Sequence, residues 1–507
     1  MSWTDGYVNE INYIYGYRSE IAPLNLDIAI LYQARQVQRR SGPLRYLELG
    51  FGQGLSLNIH AAAVGGCYWG VDFNPAHVAH ARELAEVSGA EIHLFEDSFA
   101  ELAERPDLPE FDVIVLHGIW SWISEANRKI VVDIVRRKLV PGGALFISYN
   151  TMPGWAAALP LRQLFMLHAE LADKTSSGIA GRIDGALAFA RSLSEAGATY
   201  FQTQPRSVEW LKLAEGQDRA YLAHEYFNAD WHPMTFADVA RELADTKTSF
   251  VASAHLLDHW DLLNFNNEQQ KIIDGIHHPV LRETVRDYCM NRQFRRDVWV
   301  KGPCNISKPE QVDSFKAMSF VLVVPADAVS LVARGYCVQA NLPPEQYGPI
   351  IQVLASQNYA PKTLREVSEA LPQLDIAFLV QAMTIFIGIG QVSVAQGSAE
   401  IAAAKPRTDA LNNHLIKRAI QGRPVDFLAS PVTGMGIAVT RQEQMLLWAI
   451  RQGLSTPEEW ASHIAHTLLA YGEISAPGVD EFIAGFLTQA QTFSGGRLVV
   501  LKALKIA

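Results

Sequence analysis

The run Glu48-Leu49-Gly50-Phe51-Gly52-Gln53-Gly54 is where residue type and spacing most directly specify chemistry. Glycines at alternate positions let the backbone turn tightly and approach a ligand where a side chain would block it. Asp72 follows about 20 positions after the first glycine, the spacing at which a carboxylate at the tip of the next strand accepts hydrogen bonds from ribose hydroxyls. Phe73 adjoins it as an apolar contact. A dinucleotide fingerprint needs glycine or alanine three positions after its second glycine, and Leu55 stands there instead. Glu48 would also repel a pyrophosphate. The pattern predicts a nucleoside ligand that carries a cationic group and no phosphate.

Further groups fall at the ends of later apolar runs. Asp97, Ser98 and Phe99 follow the third run, with Asp97 placed to accept a hydrogen bond from an adenine amino group and Phe99 to wall it. His117, Trp120 and Trp122 follow the fourth, and Tyr149, Asn150 and Trp155 the fifth. Together they predict a polar-aromatic rim. Aromatic faces attract a sulfonium or ammonium by ~0.5–2 kcal/mol, although any one Trp or Tyr is also an ordinary packing residue. Tyr221, His224 and Glu225 form a second such cluster, and a His-Glu pair suits either acid–base work or structure. Near the start, Tyr13 or Tyr17 is expected to pack or to close over the ligand. His255 and His259 lie four apart with no third ligand in view, so no metal is expected.

These residues need elements to carry them. An apolar run at 46–49 reads as a strand, 56–64 as a helix and 68–71 as a second strand. Helix at 74–88, strand at 91–95, buried strand at 111–116, helix at 125–139, a Pro-Gly-Gly turn and a strand at 144–148 continue the alternation. A helix at 26–40 precedes it. Ligands in such sheets sit beyond the carboxyl ends of the strands. From about residue 156 the chain turns mainly helical, with helices at 159–173 and 181–196 and a strand-like stretch at 248–254. Residues 282–301 are locally basic, which predicts a solvated helix face with internal ion pairs or a docking surface for an acidic partner. Helices at 346–356, 363–371 and 376–387, then an apolar hairpin-like tail at 390–395, suit a winged-helix module. The third helix has no Lys or Arg, so packing or partner recognition is expected of it rather than DNA reading. The end, 497–506, is strand-like.

With 507 residues, two to four domains are expected. Hydrophobic content of 49% against 19% charged is globular. A net charge of −10 argues against nucleic acid as the main partner. Four scattered cysteines give neither a disulfide framework nor metal spacing. Without a signal peptide or a run of ~18 apolar residues, a cytoplasmic location and no membrane span are expected. A homodimer is compatible with the sequence.

The Glu48 to Gly54 run resembles motif I of class I S-adenosylmethionine-dependent methyltransferases. The whole chain is similar to bacterial protein-lysine methyltransferases that carry a methyltransferase regulatory domain, including enzymes that modify outer-membrane proteins. The matching stretches are 47–54, His117-Gly118-Ile119-Trp120-Ser121-Trp122, Tyr149 to Trp155, 221–227, 282–297 and 428–434. Phe51 and Gln53 depart from the small and acidic residues more usual in that motif. The resemblance implies a Rossmann-like α/β domain over 1–170, a mainly helical regulatory or substrate domain over 171–305, and a C-terminal winged-helix-like domain over 306–507. It implies S-adenosylmethionine as cofactor, with S-adenosylhomocysteine as product. Glu48, Gly50, Gly52 and Gly54 would hold the methionine part, Asp72 the ribose, and Asp97 with Ser98 the adenine. His117, Trp120 and Tyr149 would line the acceptor side, and Asn150 or His117 would accept hydrogen bonds from the amine. The expected reaction is N-methylation of a protein lysine. Methylation of a small molecule or surface glycan is the alternative, and a non-catalytic cofactor-binding module a further one.

Overall fold

The computed structural model describes residues 15–38, 41–172 and 178–507. Seven strands make one sheet: β1 (Arg45–Leu49), β2 (Cys67–Val71), β3 (Ile92–Phe95), β4 (Phe111–Leu116), β5 (Leu139–Asn150), β6 (Thr248–Ser253) and β7 (Phe294–Lys301). Their spatial order is β3-β2-β1-β4-β5-β7-β6. The first five are mutually parallel, and β7 runs antiparallel to both neighbours. Every residue of β4 is buried, as a continuous apolar run requires in a sheet covered on both faces. The Pro-Gly-Gly turn lies inside β5. Phe111 pairs with Leu139 and Val113 with Ala144, so residues 140–143 loop out between them.

Helices Leu55–Val64, Pro75–Ser88 and Glu125–Lys138 follow β1, β2 and β4. Asn74 and Ser124 cap the last two, each side chain accepting from a backbone N–H of the first turn. The helix expected at 26–40 is instead Pro23–Tyr32. Ala34 takes a left-handed φ of 52°, and Arg35 then bridges to Asn305.

The sheet takes β6 and β7 from residues beyond the alternating α/β part. The basic stretch 282–301 does carry internal ion pairs, but most of them lie inside the fold rather than on a solvated face. It forms most of the helix Pro279–Met290, then β7, and Arg286, Arg292 and Arg295 are buried while Arg282 stays exposed. Arg295 is 1% exposed yet meets three carboxylates, with Nε 2.9 Å from Asp297, Nη1 2.7 Å from Asp287 and Nη2 3.0 Å from Glu283. Arg292 Nη1 donates to Asp258 at 2.8 Å, and Arg286 Nη1 to Asp261 at 2.8 Å. Charges persist inside a fold only when paired this way. Burial drives the Asp287 carboxyl up to about 6 even with two guanidiniums beside it.

Farther along, helices Pro344–Tyr359, Leu364–Ala370 and Ile376–Gly388 pack with a three-stranded sheet. After the third helix comes a single strand, Val392–Ala395, rather than a hairpin. Its partner, Ser319–Leu322, precedes the first helix. The helix Ser398–Ile420 lies against Leu55–Val64 and Pro75–Ser88. Gln396 Nε2 donates to Ala63 O at 2.8 Å and Arg407 Nε to Ala62 O at 3.2 Å, which satisfies carbonyls at the back of the helix that follows the glycine turn. The terminal run is helical (Leu498–Ala503), because Leu498, Val500 and Leu501 are buried on one helix face and that packing overrides β-propensity. Among the described residues no helix is long and apolar enough to cross a membrane.

Candidate active site

The carboxyl ends of β1 to β5 all open on one edge of the sheet. They deliver Gly50 to Gly54, Asp72 with Phe73, Asp97 to Phe99, His117 with Gly118, and Asn150 to a cavity of about 640 Å³. Because β7 is antiparallel, its amino end brings Gln293, Phe294 and Arg296 to the same edge.

At the floor the chain turns through left-handed residues, with φ of 71° at Gly50, 58° at Gly52 and 73° at Gly54. A Cβ on Gly50 would sit 2.5 Å from Ile119 Cδ1, and one on Gly54 2.5 Å from Ala81 Cβ. Gly52 has nothing within 4 Å of its Cβ position, so it faces open cavity. Its N–H donates to Asp72 Oδ2 at 2.8 Å, while Asp72 Oδ1 accepts from Asn74 N at 3.0 Å. These bonds tie the tip of β2 to the turn.

Glu48 is 4% exposed, and among the described residues its Oε2 has no hydrogen-bond partner. Burial, with the Asp72 charge adding to it, pushes its carboxyl up to about 8. A buried carboxylate left uncompensated asks for a cation. That is the observation by which this cavity fits the amino-acid end of the expected cofactor.

On the third strand end, Asp97 accepts from Arg105 Nη2 at 3.2 Å, and that guanidinium lies 3.9 Å over the Phe95 ring. Ser98 caps the short helix Phe99–Glu104. On the fourth, His117 Nε2 is 3.1 Å from Glu20 Oε1, which also accepts from Arg296 Nε at 3.1 Å. Burial alone would raise the Glu20 carboxyl, but His117 and Arg296 overturn that and hold it well below the usual range. The far wall carries Trp122, Trp155, Tyr221, His224 and Glu225, the last three from the helix Arg219–Tyr226. Trp155 is fixed by its Nε1–H, which donates to Gln293 O at 2.8 Å, and by Trp231 at 5.2 Å.

Three expected site residues lie elsewhere. Tyr149 and Asn150 are consecutive on β5 and so face opposite sides of the sheet. Asn150 reaches the cavity, whereas Tyr149 donates its hydroxyl to Asp297 at 2.8 Å in the buried charge network. Trp120 is fully buried among β1, β4 and β5 side chains, and Trp122 takes the cavity side of the same turn. Tyr17 is buried with its hydroxyl 2.9 Å from His60 Nε2 and its ring against Gly436. Tyr13 lies outside the described residues. The His259 ring is engaged on both nitrogens, with Nδ1 2.9 Å from Gln33 and Nε2 2.8 Å from Ser253 O. Arg18, Glu20 and Arg296 also line the cavity, as do Asn228 and Asp230 just beyond the helix Arg219–Tyr226. No local motif marks Arg18, Glu20 or Arg296, which arrive through long-range packing.

Residues 47–143 match the methyltransferase domain family, and residues 218–301 match the predicted methyltransferase regulatory domain family. The second match spans the cavity helix together with β6 and β7. An uncharacterized protein of Synechocystis sp. is 36% identical over the full length of both chains. An uncharacterized protein of Rickettsia prowazekii is 23% identical over 55% of this chain and 50% of its own. Among solved structures, PKMT2 from Rickettsia typhi in complex with AdoHcy superposes with a TM-score of 0.66, at 18% identity, over 94% of this chain and 98% of its own. A second structure of PKMT2 from Rickettsia typhi gives a TM-score of 0.68 at 16% identity, over 97% of this chain and 99% of its own.

Proposed function

Because this chain belongs to the family of S-adenosylmethionine-dependent methyltransferases that join a methyltransferase domain to a methyltransferase regulatory domain, we propose that it N-methylates lysine side chains of a protein. The observation that carries this reading is the continuity of one cavity. It runs from the unpartnered carboxylate of Glu48 to a wall of Trp122, Trp155, Tyr221, His224 and Glu225. A lysine is a long apolar stem with a cationic tip, and it matches an aromatic channel that holds carboxylates.

In this reading Glu48 binds the cofactor ammonium, and Gly52 leaves room for close approach of the backbone. Asp72, already oriented by two backbone N–H groups, takes the ribose hydroxyls with its remaining lone pairs. Asp97, Ser98, Phe73 and Phe99 surround the adenine. S-Adenosylmethionine supplies a methyl group activated on a sulfonium. The chain supplies alignment, which is the main source of acceleration in an in-line displacement. A free lysine has a pKa of about 10.4 and must lose a proton before it can attack. Removing it from water between Trp122 and Trp155 favours the neutral amine. His224 and Glu225 are the groups we assign to hold the incoming ammonium and take up its proton, while the Nδ2–H of Asn150, unpartnered in the cavity wall, orients polar atoms of donor or acceptor. His117, tied to Glu20, which Arg296 also holds, acts as a fixed wall. Residues 345–397, within the C-terminal segment 306–507, are read as the winged-helix-like module, used for packing or partner recognition.

Tyr149 has a structural task here, in contrast to the acceptor-side role expected from the sequence. Tyr149→Phe is expected to cost about 1–3 kcal/mol of stability, because Asp297 loses a donor. Cofactor affinity should stay within about twofold of wild type, since no contact with the ligand is removed. Chemical denaturation and ligand titration on the same preparation check both.

A cavity of about 640 Å³ also falls in the range that encloses a whole small molecule, which supports small-molecule methylation as the second reading. Incubation with methyl-labelled S-adenosylmethionine and a cell extract separates the two. Acid-stable label in the protein fraction is the expected result. Label confined to small molecules or glycans would favour the second reading.

A further inference from the structure

Arg18 lines the cavity beside the glycine turn. Its backbone N–H donates to Ser56 Oγ at 2.9 Å, in the first turn of the helix that follows the turn. This bond holds the Arg18 backbone against the floor of the site. The guanidinium folds back over Gly16, where its Cζ is 3.8 Å from the position a Cβ would take. Among the described residues it has no ion-pair partner. The neighbouring carboxylate, Glu20, is committed to His117 and Arg296.

Among the described residues the turn is thus flanked by a cation without an ion-pair partner, Arg18, and a buried carboxyl with an unpartnered oxygen, Glu48. They do not neutralise each other, since no ion pair joins them. A ligand with an ammonium and a carboxylate on one carbon, the zwitterionic end of an α-amino acid, satisfies both. Resting on the cofactor reading above, we infer that Arg18 is the specificity residue that binds the carboxylate of the cofactor's amino-acid end, opposite the ammonium held by Glu48. A guanidinium is suited to this because its fork presents two parallel N–H donors to a carboxylate.

The test uses two ligands that differ only in that carboxylate, S-adenosylhomocysteine and its decarboxylated analogue S-adenosyl-3-thiopropylamine. Both are titrated into the full-length wild type, Arg18→Gln and Arg18→Lys, with thermal melts to verify folding. Loss of a charge-assisted bond predicts that Arg18→Gln weakens S-adenosylhomocysteine about 10- to 100-fold and leaves the decarboxylated analogue within about twofold. Arg18→Lys keeps the charge and should recover part of the loss. If Arg18→Gln binds S-adenosylhomocysteine as well as wild type does, or loses both ligands equally, the assignment of Arg18 is overturned. If wild type binds neither ligand, the cofactor reading itself falls, and Arg18 with it.

Discussion

Glu48→Gln is expected to move stability and cofactor affinity in opposite directions. In the ligand-free protein the Glu48 carboxyl sits at about 8, raised from 4.5 first by burial and then by Asp72. A group whose folded pKa lies above its unfolded value binds more protons when folded. Its contribution is full below pH 4.5 and is lost as pH rises through 8. Above pH 8 the wild type holds a buried carboxylate with an unpartnered oxygen, whereas glutamine of the same shape carries no charge. Ligand-free Glu48→Gln should therefore be the more stable protein at pH 9, by a few kcal/mol, with the gain fading toward pH 5. Affinity for S-adenosylmethionine should fall about 10- to 100-fold, because an ammonium loses its counter-charge. Melting curves across pH, paired with titrations, read both signs. A variant that was merely damaged would lose both together.

The second large effect lies away from the cavity. Arg295→Met should destabilise the protein by about 3–5 kcal/mol at neutral pH, the range for breaking a buried ion pair from one side. The reason is the number of charges left behind. Glu283, Asp287 and Asp297 all lose a donor within 3.0 Å, in a region where Arg295 is 1% exposed. With the guanidinium gone the carboxyls of Asp287 and Asp297, already raised by burial, rise further, Glu283 loses a charge that holds it low, and the strand that joins the regulatory segment to the sheet loses its anchor. Protonation relieves an unpaired carboxylate, so the deficit should shrink as pH falls from 7 toward 5. Urea unfolding at several pH values measures it. A pH-independent loss would point to packing against Phe236 and Phe250, over which the guanidinium lies at 4.4 and 5.4 Å.

What the sequence makes legible is short in range. The glycine turn, Asp72, Asp97, His117 and Asn150 each follow an apolar run directly, so strand and functional tip are read together. The phase of β5 was harder. Tyr149 and Asn150 look equivalent as neighbours, and only the side of the sheet that each faces separates a charge-network residue from a cavity residue. The basic run 282–301 holds three of its carboxylate partners itself, Glu283, Asp287 and Asp297, but Asp258 and Asp261 and the packing that buries the network come from other segments. Glu20 meets His117 across 97 positions and Arg296 across 276. No local pattern carries such pairings. Arg296 enters the site only because β7 is reversed within an otherwise parallel sheet, and a strand's direction is not written in its residues.

The most direct test of a cofactor site built on Glu48 and the glycine turn is titration calorimetry of S-adenosylhomocysteine at pH 7, in two buffers of different ionisation heat. With a pKa of about 8, Glu48 carries a proton in most of the free protein at this pH. Pairing with the ligand ammonium should expel it. The predicted result is one-to-one binding with release of about one proton, abolished in Glu48→Gln. Absence of saturable binding, or binding that releases no proton and is indifferent to Glu48→Gln and Asp72→Ala, would contradict this site.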